Sequence, residues 1–472
     1  MLSPWARRWL GVGVGLGLGA LVWAAPTPVG LSDEGHRVAA VAVVMAFWWL
    51  TATLPLAITA FVPLVAFPLL GTATLAETAG PYASPLIFLC LGGFLIGAAL
   101  ERAGVHERLT ARLLAVPTLA SSPRRVLAVA MGVAALLSSV VSNTATAVMM
   151  MPLAISLADR CSLDARGKAG FAMGLAYACS IGGVSTLVGT FPNAVFVQVA
   201  RVEVGADIGF ADWSAVGVPF SLVALPVAWL VVSRLFVPGH ATEVVLPTPS
   251  PWRPGQAAVV GIVVVTMGAW LTRKSVQLGS VTLPGWGDGL AVDDAWVAML
   301  AAIVLFGVRG EEGEAFLDLR EVEPTVPWSV LFLLGGGFSL AAAIRDAGVT
   351  GWLAGGVGGL ADVSLLVAAL VLCLGVTFVT ELTSNTATTQ VLLPVLAAGA
   401  VGVGVDPLGW MVPATLSASC AFMLPVATPP NAVASELGHV PPRYMAQAGL
   451  VLNLLLAVWA ALIGALWAPM VL

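Results

Sequence analysis

Asparagine and hydroxyl side chains occur together twice in this chain, in one short phrase set each time inside an apolar stretch: Ser142-Asn143-Thr144-Ala145-Thr146 and Ser384-Asn385-Thr386-Ala387-Thr388. Neutral oxygens of this kind coordinate a small hard cation, and the same residues offer N–H and O–H donors to an anion. A second phrase follows each copy, Gly189-Thr190-Phe191-Pro192-Asn193 after the first and Ala427-Thr428-Pro429-Pro430-Asn431 after the second. Proline removes a backbone donor and clashes with the preceding turn, so each phrase predicts a broken helix whose freed carbonyls, at Gly189 and Ala427, can face a cation. The spacings agree along the chain: 385 − 143 = 242, 431 − 193 = 238, and 337 − 93 = 244 for Gly92-Gly93-Phe94 against Gly336-Gly337-Phe338. A series of motifs repeated at one spacing means two related halves.

The elements that position these residues follow from composition. At 59% hydrophobic and 10% charged residues over 472 positions, with a mean hydropathy of +0.98, the chain is a polytopic membrane protein. Crossings need about 20 apolar residues. Candidates lie at 9–25, 39–56, 58–72, 84–101, 168–190 and 214–236, then at 256–271, 292–307, 327–344, 410–428 and 447–468. That makes an all-α protein of eleven transmembrane helices. Two further stretches, 126–158 and 364–398, hold the Ser-Asn-Thr phrases at their middles and read as re-entrant hairpins. Polar, unwound backbone at that depth must be buried in protein or line a cavity.

Loop charge sets the orientation. With Arg7 and Arg8 inside, the inner loops of the first half carry Arg102, Arg108, Arg112, Arg124, Arg125, Arg160, Arg166 and Lys168, whereas the outer loops carry only Arg37 and Arg201 beside several acids. This bias predicts a cytoplasmic membrane protein with its N-terminus inside. Residues 1–38 form a first helix and outer loop, read as a span and not as a cleaved signal peptide. Residues 39–236 make the first repeat, 237–255 a Pro-rich linker and 256–472 the second repeat. Each repeat has an odd number of crossings, so the two are inverted. The hairpin at 126–158 then enters from the cytoplasm and that at 364–398 from outside.

Other chemistries find little support. The five cysteines suggest no disulfide framework, and the four histidines, His36, His106, His240 and His439, fall in expected loops without metal-ligand spacing. No nucleophile-base pair is visible, so no enzyme is expected. The net charge of −5 sits in loops and implies no nucleic-acid partner. The acidic segment 309–324 reads as a solvated loop, while 101–115 and 345–360 pattern as interfacial amphipathic helices. No Arg or Lys falls within a span near the motifs, so an anion there must be held by hydroxyls, amides, helix N-termini and bound cations.

The chain resembles the divalent anion/sodium symporter family of di- and tricarboxylate and sulfate transporters. The likeness covers nearly the whole chain and rests on Ser142-Asn143-Thr144, on Thr380-Glu381-Leu382-Thr383-Ser384-Asn385-Thr386, on Trp48-Trp49 with Pro55-Leu56, on Gly335-Gly336-Gly337-Phe338 and on the two Pro-Asn phrases. The resemblance implies one sodium ion at Ser138, Asn143 and Gly189 and another at Thr380, Asn385 and Ala427. It implies substrate contacts from Ser142, Asn143, Thr144, Thr190, Ser384, Asn385, Thr386, Thr428 and Pro429. It also implies a homodimer in membrane lipid that works as an elevator. Two positions depart from the family: Phe191 stands where a proline is usual, and Thr51-Ala52-Thr53 replaces a Thr-Glu-Ala. Sodium-driven uptake of a C4-dicarboxylate such as succinate is the leading expectation. Dicarboxylate exchange, citrate or sulfate symport, and more distantly an ion channel remain as alternatives. Glu381, an acid at membrane depth, is either an ion-linked carboxylate or a hydrogen-bonding anchor of its hairpin.

Overall fold

The computed structural model describes residues 3–239, 251–278, 281–310, 313–356 and 364–472. Helices dominate because long apolar runs leave the backbone no partner but itself. Five described helices have the length and apolarity to cross a membrane: Leu75–Arg102, Phe210–Phe236, Gly255–Thr272, Trp328–Asp346 and Pro442–Val471. The Pro4–Ala24 helix, capped by the Ser3 hydroxyl, lies along Asp33–Thr51, where the bare backbone of Gly15 leaves room for the Trp48 indole. Interior helices such as Ala165–Val184 are buried on nearly every side, as an all-round apolar sequence requires.

Both hairpins form. Pro123–Ser138 turns into Asn143–Arg160, and Leu365–Thr380 turns into Asn385–Gly402. The turns end where serine supplies a cap: Ser142 Oγ accepts from Ala145 N (3.3 Å) and Ser384 Oγ from Ala387 N (3.5 Å). Serine favours this place because its hydroxyl satisfies a first-turn N–H that the helix leaves open.

The stretches 168–190 and 410–428, expected as full crossings, are helices that stop short. Ala165–Val184 unwinds at 185–190 and resumes as Phe191–Val199. Leu408–Ala418 unwinds at 419–428 and resumes as Pro429–Glu436. The freed carbonyls are matched by asparagine, which explains the Pro-Asn pairing. Asn193 Nδ2 donates to Gly183 O (3.2 Å), Val184 O (3.3 Å) and Thr186 O (2.7 Å). Asn431 Nδ2 donates to Ala421 O (3.0 Å) and Leu424 O (3.1 Å). Each resumed segment then packs against the other half's hairpin, Phe191–Val199 on Asn385–Gly402 and Pro429–Glu436 on Asn143–Arg160.

Other expectations need correction. The 58–72 stretch is two short helices, Leu56–Thr59 and Val62–Leu70, because Pro63 and Pro68 shorten it. Segment 309–324 is not a plain solvated loop: Arg309 bridges Ala315, Leu319–Val322 is helical, and Phe316, Leu317 and Val322 are buried. Glu311 and Glu312 of that segment lie outside the described residues, as do 240–250 of the expected linker. His36 and His106 are buried within helices Asp33–Thr51 and Val105–Leu114, since each ring packs its apolar body and turns a nitrogen to a partner only where one is near. His439 is in a loop, and His240 lies outside the described residues. The amphipathic segments are helical at Val105–Leu114 and Val349–Gly356. A two-stranded ribbon, Val276–Leu278 with Val281–Leu283, was not foreseen.

Candidate substrate and cation site

The two hairpin turns and the two helix breaks enclose a cavity of about 400 Å³. Ser142, Asn143 and Thr144 line it from the first hairpin, and Ser384, Asn385 and Thr386 from the second. Gly189, Thr190, Phe191 and Pro192 line it from one break, and Ala427, Thr428, Pro429 and Pro430 from the other. Leu56, Val330 and Leu333 close its side. Among the described residues no charged side chain lines it. Instead, four helices begin at its wall: Asn143–Arg160, Phe191–Val199, Asn385–Gly402 and Pro429–Glu436. The helices of Asn143 and Asn385 open with N–H groups beyond those that the Ser142 and Ser384 caps take, while the two proline-led helices, whose first N–H groups are missing or already bonded, bring the positive end of their dipoles; together they suit an anion without any lysine or arginine. The Thr190 hydroxyl caps nothing in its own helix, whereas Thr428 Oγ1 accepts from Asn431 N (3.3 Å).

Behind each hairpin turn lies a cluster of oxygens. The Asn143 amide places one terminal atom 2.7 Å from Ser138 Oγ and 3.1 Å from the carbonyls of both Cys179 and Gly189. As Oδ1 that atom faces three oxygens, a cage for a cation; as Nδ2 it donates to them. In the second half Thr380 Oγ1 donates to Asn385 Oδ1 (2.7 Å) and lies 3.1 Å from Ala418 O. Ser138 and Thr380 are fully buried behind the cavity wall. Neutral carbonyl, amide and hydroxyl oxygens match the preference of a hard monovalent cation, so the donor sets fit sodium.

All nine residues expected to touch substrate line the cavity. Of the expected cation ligands, Ser138, Asn143 and Gly189 come together, as do Thr380 and Asn385, while Ala427 lines the cavity beside them. The carbonyls of Cys179 and Ala418 were missed, because a backbone oxygen leaves no mark in residue type; only the position of a helix end could have signalled them. The apolar wall of Leu56, Val330 and Leu333 was likewise missed. Glu381 is 3% exposed and accepts from Phe422 N (2.7 Å), Met423 N (2.8 Å), Leu424 N (3.0 Å) and Asn453 Nδ2 (2.7 Å). It is an anchor, tying the second hairpin to the second break. Phe191 packs edge-on against Phe94, with ring centroids 5.8 Å apart, and narrows the cavity where the other half carries Pro429.

The citrate transporter family model matches residues 45–415. The chain belongs to this family. Its relatives place it among the divalent anion/sodium symporters. It is 33% identical over 449 residues to the sodium-dependent dicarboxylate transporter SdcS of Staphylococcus saprophyticus, a match spanning 91% of this chain and 85% of that protein. It is 33% identical over 453 residues to SdcS of Staphylococcus aureus, with the same coverage. The YdaH transporter of Alcanivorax borkumensis shares the fold, with a TM-score of 0.61 over 98% of this chain and 96% of that one at 15% identity. This member of the citrate transporter family is therefore a multi-pass membrane transporter, not an enzyme.

Proposed function

We propose that the protein imports C4-dicarboxylates such as succinate across the cytoplasmic membrane, coupled to sodium. The observation that carries this reading is the uncharged cavity itself: four helix N-termini meet there, and an oxygen cluster flanks it on each side. The substrate carboxylates would sit between Ser142-Asn143-Thr144 and Ser384-Asn385-Thr386, with Thr190, Thr428 and Pro429 at the breaks. One sodium ion would sit with Ser138, Asn143 and Gly189, the other with Thr380, Asn385 and Ala427. The cations supply the positive charge that the wall lacks. The names of the SdcS relatives support the substrate and the ion. As an elevator within a homodimer, N-terminus inside, the protein would carry hairpins and broken helices together across a fixed scaffold.

Two oxygen clusters also favour a second reading. A dicarboxylate carries −2, and moving it inward against about −100 mV costs roughly 4.6 kcal/mol. Two sodium ions cancel that charge, which suits electroneutral exchange as well as uptake. Proteoliposomes separate the readings: labelled succinate, citrate and sulfate are offered with sodium or proton gradients, and the potential is set by potassium and valinomycin. Net sodium-driven succinate entry is expected. Entry that ignores sodium, or that accelerates only with internal dicarboxylate, overturns symport.

A further inference from the structure

One wall of the cavity differs in kind from the rest. Hydroxyls and amides come from the two Ser-Asn-Thr turns and from Thr190 and Thr428 at the breaks, whereas Leu56, Val330 and Leu333 come from the helices Leu56–Thr59 and Trp328–Asp346, which belong to neither hairpin nor break. Val330 and Leu333 are three residues apart and share a helix face. That face is held at close range. Gly336 lies so near the Ala60 backbone, and Gly337 so near the Gln390 amide, that a Cβ on either would collide. Gln390, buried in the helix behind the second hairpin turn, donates from Nε2 to Leu333 O at 2.9 Å. Its counterpart in the first half (390 − 242 = 148) is Val148, which has no side-chain donor. The wall is thus fastened to the second hairpin, and it offers the cavity branched hydrocarbon without a side-chain donor or acceptor.

A C4-dicarboxylate with one carboxylate toward each turn is extended, and each of its middle carbons then points one substituent to either face of the chain. One face meets Val330 and Leu333. At the breaks, the Thr190 hydroxyl caps nothing in its own helix, and Thr428 Oγ1, which accepts from Asn431 N, keeps its proton to donate. A substrate hydroxyl turned to these threonines finds partners. Turned to the wall, it gives up water and gains no hydrogen bond, whereas a methyl there gains contact.

We propose that Val330 and Leu333 are specificity-determining residues that read the two faces of the substrate: the site accepts C4-dicarboxylates with polar substituents on one face and rejects those with hydroxyls on both. Malate can turn about its long axis, so either enantiomer brings its hydroxyl to the threonines. Citramalate carries a hydroxyl and a methyl on one carbon, on opposite faces, and fits with the methyl against the wall. In extended meso-tartrate the two hydroxyls project from opposite faces, and one must meet the wall. The inference rests on the C4-dicarboxylate reading above and narrows its substrate class.

Competition against labelled succinate, entering proteoliposomes of the full-length protein, tests it with competitors of equal charge and similar size. In the wild type, malate and citramalate are expected to inhibit, and half-inhibition by meso-tartrate should need a concentration about tenfold or more above that of citramalate. Val330→Thr, alike in shape but bearing a hydroxyl, gives the second hydroxyl of meso-tartrate a partner and should lower that ratio about threefold or more. Equal inhibition by citramalate and meso-tartrate overturns the inference. So does a citramalate that fails to inhibit, or a ratio that Val330→Thr leaves at the wild-type value. Should Val330→Thr fail to fold, the wild-type ratio alone decides. If labelled succinate does not enter before any competitor is added, the dicarboxylate reading itself falls and takes this inference with it; a lost ratio with succinate entry intact strikes the inference alone.

Discussion

The two halves reach the same cavity by different breaks. The first break spans six residues, 185–190, and is closed by Asn193 together with the Trp213 indole, which donates to Val184 O at 2.9 Å. The second spans ten, 419–428, and is closed by Asn431 together with the Glu381 carboxylate. Carbonyls are satisfied in both; in the second, a run of N–H groups is satisfied as well. Duplication supplied the shared shape of hairpin, break and Pro-Asn phrase. Divergence then changed the charge beside one hairpin and the bulk at one break, since Phe191 lines the cavity where its counterpart in the second half (191 + 238 = 429) is Pro429. Similar outlines therefore need not mean similar binding.

The comparison breaks most plainly at the asparagines. Replacing either Asn143 or Asn385 with Ala is expected to lower succinate uptake more than about 100-fold in proteoliposomes while folded protein remains, because each amide serves both the cavity and an oxygen cluster. Uptake retained in one of the two would show that the halves do not share a substrate site. A second contrast lies one helix away. Gly183 packs so closely on the Asn143 side chain that any Cβ would collide with it, whereas its counterpart Ala421 (183 + 238 = 421) already carries a buried methyl. Gly183→Ala should cost about tenfold or more in uptake, and Ala421→Gly should leave it within about twofold.

Phe191 sharpens the comparison on the side of bulk. Removing its ring in Phe191→Ala loses an aromatic pair worth about 0.5–1.5 kcal/mol and widens the cavity. The KM for succinate should rise about threefold to tenfold, and the ratio of citrate to succinate uptake should increase. Unchanged selectivity would mean that the ring shapes only the packing against Phe94. The smallest effect concerns stability. Asn193→Ala and Asn431→Ala each leave buried carbonyls without donors, at about 1–3 kcal/mol per orphaned group. Val184 O keeps the Trp213 indole and Leu424 O keeps Ala427 N, so Asn193→Ala strips Gly183 O and Thr186 O whereas Asn431→Ala strips Ala421 O, and thermal unfolding in detergent should shift further for Asn193→Ala than for Asn431→Ala, by a few degrees. An equal shift would imply that the extra carbonyl at the first break contributes nothing to stability.

Much of this was legible in the sequence because it depended on residue types with fixed roles. Ser142 and Ser384 announce helix starts, Pro192 and Pro430 announce breaks, and Asn193 and Asn431 announce a need for donors at those breaks. The Cys179 and Ala418 carbonyls left no such trace, since every residue carries one. Leu56, Val330 and Leu333 were invisible for the opposite reason: any apolar residue of a span reads alike, whether it faces lipid, core or cavity. His36 and His106 were misplaced because a polar ring at a helix start resembles a loop residue until its burial is known. Glu381 stood out as an acid among apolar residues, yet its partners lie 41 to 72 positions away and became visible only with the fold.

The exchange of half-helices between the repeats also governs how the protein can be made. Asn143–Arg160 packs against Pro429–Glu436, which the ribosome reaches 429 − 160 = 269 residues later. At about 5–20 residues per second the first hairpin waits on the order of 10–50 s for a wall of its own cavity. During that interval its Ser-Asn-Thr turn is polar, unpartnered and already in the bilayer. Neither half can finish its core alone, so a chain ending after Phe236 should be a substrate for membrane proteases and not half a transporter. Biogenesis, more than final stability, is where substitutions that slow the arrival of the second half are expected to do their damage.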